Sequence, residues 1–519
     1  MENFIYDLNK KEVREQLTRT LQIIQDTITS TLGPKGRNVI LYEQGEMPHI
    51  TKDGVTVAEF LTFDNPMDEA INKIIKETAR KTAEKVGDGT TTSILLATEL
   101  IIRLLPKWND IFLEIEMLKK DAESLKQVIQ EMRIDLTAFE DEKVLDMLTD
   151  IVAISSNGDQ KVVDMLEDVL KQIGPNGLID VVDGYGEETT THIMEGMLIE
   201  APAHLIHNDF ELKEAYVALV SSKIEKIHEI KSMLRLANVM HNEPIPRPLI
   251  VIANEFSKEV LNIINVNNRN GKTAIFPVDI DGFANNMLDI LDDMSTILEC
   301  KVLSTDSTSP YGLQNIEANH LGYVESATIT PQHSVLYAGT PMSEEALKIK
   351  AELESFISAI KKSGENRIGE IRGLEKRLSK FSKSAKIRVG GATEAARKEL
   401  KDRIEDAVQA VASSVNNGIV PGGGYTLYKA SVQLRDGVLK DIAKLPAQKL
   451  NATVGNRFDL DRLIVNMGMV IDFRKEEPGF VEKTKIYDPA DVLIKALEQA
   501  VAITEIMLKG YGVLVKVYD

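Results

Sequence analysis

Four short stretches carry the residue types that could handle a phosphate: "TLGPKG" (31–36), "TKDG" (51–54), "VGDGTTTS" (86–93) and "PGGG" (421–424). Glycine lets a backbone come close to an anion, and amides at a helix N-terminus direct partial positive charge towards it. The aspartates in two of these stretches would repel a phosphate that they touched directly. They make chemical sense if Mg²⁺ bridges carboxylate to phosphate, because hard cations take oxygen ligands. The three consecutive threonines of "VGDGTTTS" add hydroxyl donors without changing the charge. Taken singly, each stretch reads equally well as a turn beside a helix cap. The GxxxxGK-Ser/Thr phosphate loop is absent, and so is a GxGxxG after a strand. Together the four stretches describe a candidate nucleoside triphosphate–magnesium site built by another device.

Such a site needs helix ends to hold it. Val13, Leu17, Leu21, Ile24, Ile28 and Leu32 recur at helical spacing, an apolar stripe that Gly33 and Pro34 stop. "VILYE" then reads as a short strand. A helix from about Met67 to Val86 runs into "VGDGTTTS", and "SILLATELIIRLL" (93–105) is apolar on all sides, which predicts burial. A further helix covers roughly 112–132. In the middle, "GLIDVVDG" (177–184), "PLIVIANE" (248–255) and "TAIFPVDI" (273–280) are β-branched runs between helical segments, the pattern of an α/β domain. Residues 343–383 read as a helical hairpin broken at Ser363-Gly364. Helical character returns over 387–418 and 488–508, and the chain finishes on a strand, "YGVLVKVYD". Helix-rich ends around an α/β insert predict a discontinuous domain whose two halves pack together.

With 519 residues the chain is too long for one core, and about three domains are expected. A net charge of −19 argues against nucleic-acid or anionic-membrane partners, because phosphates would be repelled. The single Cys300 excludes an intrachain disulfide and a thiolate zinc cluster; it reads as a small buried hydrophobe in a reducing compartment. The N-terminus resembles neither a signal peptide nor a presequence, and no apolar run is long enough to span a membrane. A cytoplasmic location is expected.

The motifs "TLGPKGRNVIL", "TKDGVTVA", "VGDGTTTS", "VGGATE", "RIEDAVQA", "GIVPGGGYTL" and "YDPADV" occur in the order and approximate spacing of a group I chaperonin. The chain resembles that GroEL-type family over nearly its whole length, most tightly in the terminal thirds. The resemblance implies a multidomain α/β fold. A helix-rich equatorial ATP-binding domain would comprise 1–137 and 417–519, a hinge-like intermediate domain 138–194 and 385–416, and an α/β apical substrate-binding domain 195–384. It implies an ATP hydrolase that works as a chaperone. Its partners would be non-native polypeptides and identical subunits in a homo-oligomeric ring of about seven.

Residue by residue, the family's nucleotide contacts fall on Thr31, Leu32, Gly33, Pro34 and Lys52, on Gly89, Thr90, Thr91 and Thr92, and on Gly423 and Asp488. Asp88 matches the Mg²⁺ ligand, and K⁺ is a second cation that the family pattern allows near Lys52. Asp53 and Asp406 match the carboxylates that position and activate the hydrolytic water. Taken alone, Asp406 in "KDRIEDAVQA" reads as part of a solvated helix face; only the motif match makes it catalytic. An Asp on the hinge domain would couple hydrolysis to domain movement.

The chain departs from the family in three places. In "MEGMLIEAPAHLIHND" (194–209) the client-facing positions hold Ala203, Leu205, His207 and Asn208, a smaller and more polar set. The two groove helices keep Leu234, Leu261 and Val266, with Ala237 and Asn265 at other positions where the family is apolar. The reduced rim leaves the need for a co-chaperonin lid open, and refolding without one is the expectation. The Gly-Gly-Met tail is missing, and 465–488 departs from the usual base-contacting segment. An ATP-inactive ring that only captures clients is the alternative that Asp53, Asp88 and Asp406 argue against. A stand-alone small-molecule kinase would explain neither the order of the inserts nor the hinge segments.

Overall fold

The apolar stripe of the first helix is where the fold starts. In the computed structural model the helix Lys11–Thr29 places Val13, Leu17, Leu21, Ile24 and Ile28 on one buried face. Burying each such side chain contributes about 1.5–3 kcal/mol. The structure describes residues 2–43, 48–52, 54–86, 89–184, 186–199, 203–204, 210–280, 284–306, 309–330, 334–338, 342–363, 368–381, 383–510 and 512–517. The chain divides into two compact units, Met1–Asp168 with Asp183–Thr189 and Arg388–Asp519, and Val169–Val182 with Thr190–Ile387.

The first unit is built around the helix Thr90–Leu104. Ile94, Leu95, Leu96, Ala97, Leu100 and Ile101 are all buried, as its all-round apolarity predicts. Lys11–Thr29, Pro66–Val86 and Ala490–Lys509 pack around it. One continuous core therefore joins Leu21 and Ile71 from the N-terminal part to Leu427, Ile442 and Leu497 from the C-terminal part, the discontinuous domain that the sequence predicts. The chain ends also meet: strand Glu2–Asp7 pairs antiparallel with Gly512–Val517. Three further two-stranded ribbons join Val39–Leu41 to His49–Thr51, Ile419–Pro421 to Tyr487–Pro489, and Val470–Asp472 to Glu477–Gly479.

The second unit carries most of a nine-stranded mixed sheet. Strand Phe210–Val220 pairs antiparallel with Gly322–Ile329 on one side and parallel with Leu249–Ala253 on the other, and the latter continues in parallel to Ile275–Asp279. Leu249–Ala253 is buried on both faces, which explains why "LIVIA" is uninterrupted by polar residues. The period of two decides which core each residue joins. Val217, Leu219, Ile250 and Ile252 face Leu291 and Met294 of the helix Ala284–Ile297. Ala218, Val220, Val251 and Ala253 face Met233 and Ile264 of the helices Ile227–His241 and Lys258–Arg269.

The helical hairpin appears as Glu344–Ser363 and Ile368–Ser379. Arg377 clamps the buried Asp293 through two bonds of 3.0 and 2.8 Å. Cys300 is buried, and burial pushes its thiol up to about 12, so it stays an unreactive hydrophobe at neutral pH. No described helix is long and apolar enough to cross a membrane.

Candidate active site

The glycine stretches converge. Within the first unit a cavity of about 670 Å³ is lined by Thr31–Pro34, Lys52, Gly89–Thr92, Gly423, Asp488 and Asp406. Eleven sequence-predicted nucleotide positions and one of the two predicted catalytic carboxylates thus share one wall system. Asp53 and Asp88 lie outside the described residues.

Local backbone geometry explains the glycines at two points. Gly89 adopts φ +80° just before the helix Thr90–Leu104, and a Cβ there would sit 2.5 Å from Val492 Cγ1. Gly33 at φ +75° is equally confined, with Leu450 Cδ2 2.2 Å from where its Cβ would be. The Gly54–Phe60 helix starts against Thr91, so two helix N-termini open on the same cavity. Amide dipoles at those ends favour an anion. The buried Thr31 is fixed by its hydroxyl, which donates to the Ile28 carbonyl at 2.8 Å.

Lys52 ties two of the loops together. Its Nζ donates to the Gly33 carbonyl (2.9 Å) and to Asn157 Oδ1 (3.1 Å). Burial, followed by the nearby Arg403 and Arg474 guanidinium groups, holds its pKa below the usual lysine value. On the opposite side Asp488 stands across from Val420 in the ribbon Ile419–Pro421/Tyr487–Pro489. Its Oδ1 is 2.7 Å from where a Cβ on Gly422 would sit, so only glycine lets the "PGGG" loop lie so close. Asp406 comes from the helix Glu394–Asn417, whose Asp402, Arg403 and Gln409 also reach the cavity.

Several cavity residues escape sequence reasoning. Arg403 lies three residues before Asp406 on the same helix, a spacing that could have revealed it. Its guanidinium donates to Asp159 Oδ2 at 2.6 Å and to Glu399. Asp150, on the helix Asp141–Ser155, carries no motif. It is half-buried, with Lys485 Nζ 3.8 Å away. Burial, reinforced by Asp146 and opposed by Lys485 and Lys475, raises its pKa to about 6. A raised carboxyl holds its proton in the folded chain after the unfolded chain has lost it, so stability falls as pH rises from 3.8 to about 6. Asp150→Asn is therefore expected to raise the melting temperature at pH 7.5 and to change it little at pH 4 or below. An equal gain at both values in a thermal melt would contradict the burial of this charge.

The client-facing candidates lie in the second unit and not at the cavity. Leu234, on Ile227–His241, and Leu261, on Lys258–Arg269, are part-buried against the core beneath them; Val266 is 57% exposed. Ala237 belongs to that core, and Ala203 is buried in a bridge to Val278, so neither contributes to an exposed rim. Leu205, His207 and Asn208 lie outside the described residues.

A helix-rich unit with a glycine-walled cavity is thus joined in sequence to a mixed-sheet unit. Residues 24–246 match the TCP-1/cpn60 chaperonin family. The mitochondrial chaperonin HSP60 of Trypanosoma cruzi is 29% identical, the match covering 97% of this chain and 92% of that protein. Among solved structures, the chaperonin gp146 of bacteriophage EL 2 (Pseudomonas aeruginosa), crystallised in the presence of ATP-BeFx, is similar in two crystal forms. Form II has a TM-score of 0.75 at 22% identity over 99% of both chains, and form I a TM-score of 0.65 at 22% over 98% and 99%.

Proposed function

We propose that the chain is the subunit of an ATP-driven folding ring, binding non-native polypeptides and promoting their folding through Mg-ATP binding and hydrolysis. The observation that carries this reading is the meeting of four glycine loops and Asp406 around one cavity. Its volume lies within the roughly 300–1,000 Å³ of small-molecule sites. The loop backbones and Thr90–Thr92 would take the phosphate oxygens, and Gly423 and Asp488 the nucleoside end. Asp53 and Asp406 would orient water and accept its proton.

The hydroxyls of Thr90–Thr92 are hard oxygen groups suited to magnesium. Asp88 would hold it, and when bound it would supply charge neutralisation at the phosphates. K⁺ would find its place near Lys52. The division into equatorial (1–137, 417–519), intermediate (138–194, 385–416) and apical (195–384) domains belongs to the same reading. So do a ring of about seven subunits, a cytoplasmic location and client contact through Leu205, Leu234, Leu261 and Val266.

The purified protein, given a chemically denatured client enzyme, is expected to restore client activity with Mg-ATP and not with Mg-ADP, and to do so without a separate lid subunit. Phosphate release is measured in the same samples. Capture of the client with no phosphate release would replace this reading by the passive capture ring. A strict requirement for a lid would overturn the lid-free expectation alone.

A further inference from the structure

We infer that Arg474 is a second cation for the phosphate groups of the nucleotide, delivered beside Lys52 by the ribbon Val470–Asp472/Glu477–Gly479. This rests on the nucleotide reading above and adds a residue that none of the predicted positions includes.

The turn of that ribbon is held from both sides. Asp472 Oδ1 accepts from the backbone N–H groups of Arg474 (2.9 Å) and Lys475 (3.0 Å), and Phe473 is buried edge-on to Phe458. The exposed Arg474 side chain therefore leaves from a fixed backbone. Its guanidinium lies against Gly158: a Cβ there would sit 2.2 Å from Nη1 and 2.4 Å from Cζ. Nη2 donates to the Ala153 carbonyl at 3.2 Å. The next residue back, Asn157, accepts from Lys52 Nζ, which in turn holds the Gly33 carbonyl. Residues 157 and 158 thus carry the two cations side by side along the edge of the cavity that contains Gly33.

The charges at this edge are unbalanced. Arg403 is compensated by Asp159 and Glu399, whereas among the described residues neither Lys52 nor Arg474 is paired with a carboxylate. That is unusual in a chain of net charge −19. Two neighbouring cations repel: after burial and Arg403, Arg474 is the third cause that lowers the lysine pKa. A multivalent oxyanion relieves it, because each phosphate oxygen accepts a charge-assisted hydrogen bond. A neutral base or ribose would not.

The test measures binding of ATP, adenosine and inorganic tripolyphosphate to the assembled protein by titration calorimetry. Arg474→Gln keeps a donor for the Ala153 carbonyl and removes the charge. It is expected to weaken ATP and tripolyphosphate about tenfold and to leave adenosine unchanged. Arg474→Lys is expected to stay within about threefold of the parent for all three, since the charge is retained. Unchanged ATP affinity in Arg474→Gln, or an equal loss for adenosine and ATP, overturns the assignment. Should Arg474→Gln melt early, Arg474→Met is read by the same two outcomes. A parent protein that binds neither ATP nor tripolyphosphate would instead remove the nucleotide reading itself.

Discussion

Asp406→Ala is expected to bind ATP with nearly parental affinity and to hydrolyse it about 10²–10⁴-fold more slowly, the usual contribution of a positioned general base. The helix Glu394–Asn417 explains why the two effects should separate. Its Ile404, Ala407, Ala410 and Val411 are buried, while Asp402, Asp406 and Gln409 turn to the cavity. Truncating Asp406 therefore leaves the helix's packing face intact. The anion-binding loops are all carried by other segments, so ground-state affinity has no reason to fall. Asp406→Asn, which keeps the shape but cannot accept a proton in the same way, should be nearly as slow. Single-turnover phosphate release alongside a nucleotide titration measures both quantities. Parental turnover in Asp406→Ala would remove Asp406 from the chemistry and return it to the solvated helix face.

Asp88→Lys is expected to weaken Mg-ATP binding by at least about a hundredfold. The substitution replaces a negative group by a positive one where a divalent cation is proposed, a change of two charge units. Near a protein surface one unit charge acts on another at contact with about 4 kcal/mol. The same variant titrated with ATP in excess chelator should lose far less, because an ammonium repels the metal and not the phosphates. Thermal melting monitors the fold, since Asp88 immediately precedes Gly89 and the helix Thr90–Leu104. Normal Mg-ATP affinity in a folded Asp88→Lys protein would take the metal away from this residue.

What could be read from the sequence follows from how local each signal is. The helices Lys11–Thr29, Pro66–Val86, Thr90–Leu104 and Ala490–Lys509 announce themselves because the spacing of apolar side chains is a property of the segment alone. The buried strands Leu249–Ala253 and Ile275–Asp279 do so for the same reason. The strand Glu2–Asp7 does not: its partner is Gly512–Val517, and no local pattern announces so distant a pairing. The strand Phe210–Val220 carries Glu211, Lys213 and Glu214 in its first half, and Thr190–Ile199 is interrupted by Glu195 and Gly196, which hides the period of two.

At the cavity, glycine and threonine stretches were legible because their backbone needs are unusual. Arg403, Arg474 and Asp150 were not, because a charged residue in a helix or turn does not declare which way it faces. Resemblance to relatives could not supply Arg474, since the segment that carries it is where this chain departs from the family pattern.

The pairing of the chain's two ends has a consequence for synthesis. Residues 190–387 are contiguous and can complete most of the second unit soon after they leave the ribosome. The first unit cannot close until Gly512–Val517 has emerged to meet Glu2–Asp7, and the cavity waits for Ile486, Asp488 and Leu493. The protein is thus born inside-first: its inserted unit matures while the unit that encloses it in sequence is still open. A translation product that stops before Ile486 would therefore carry a folded insert without a complete cavity.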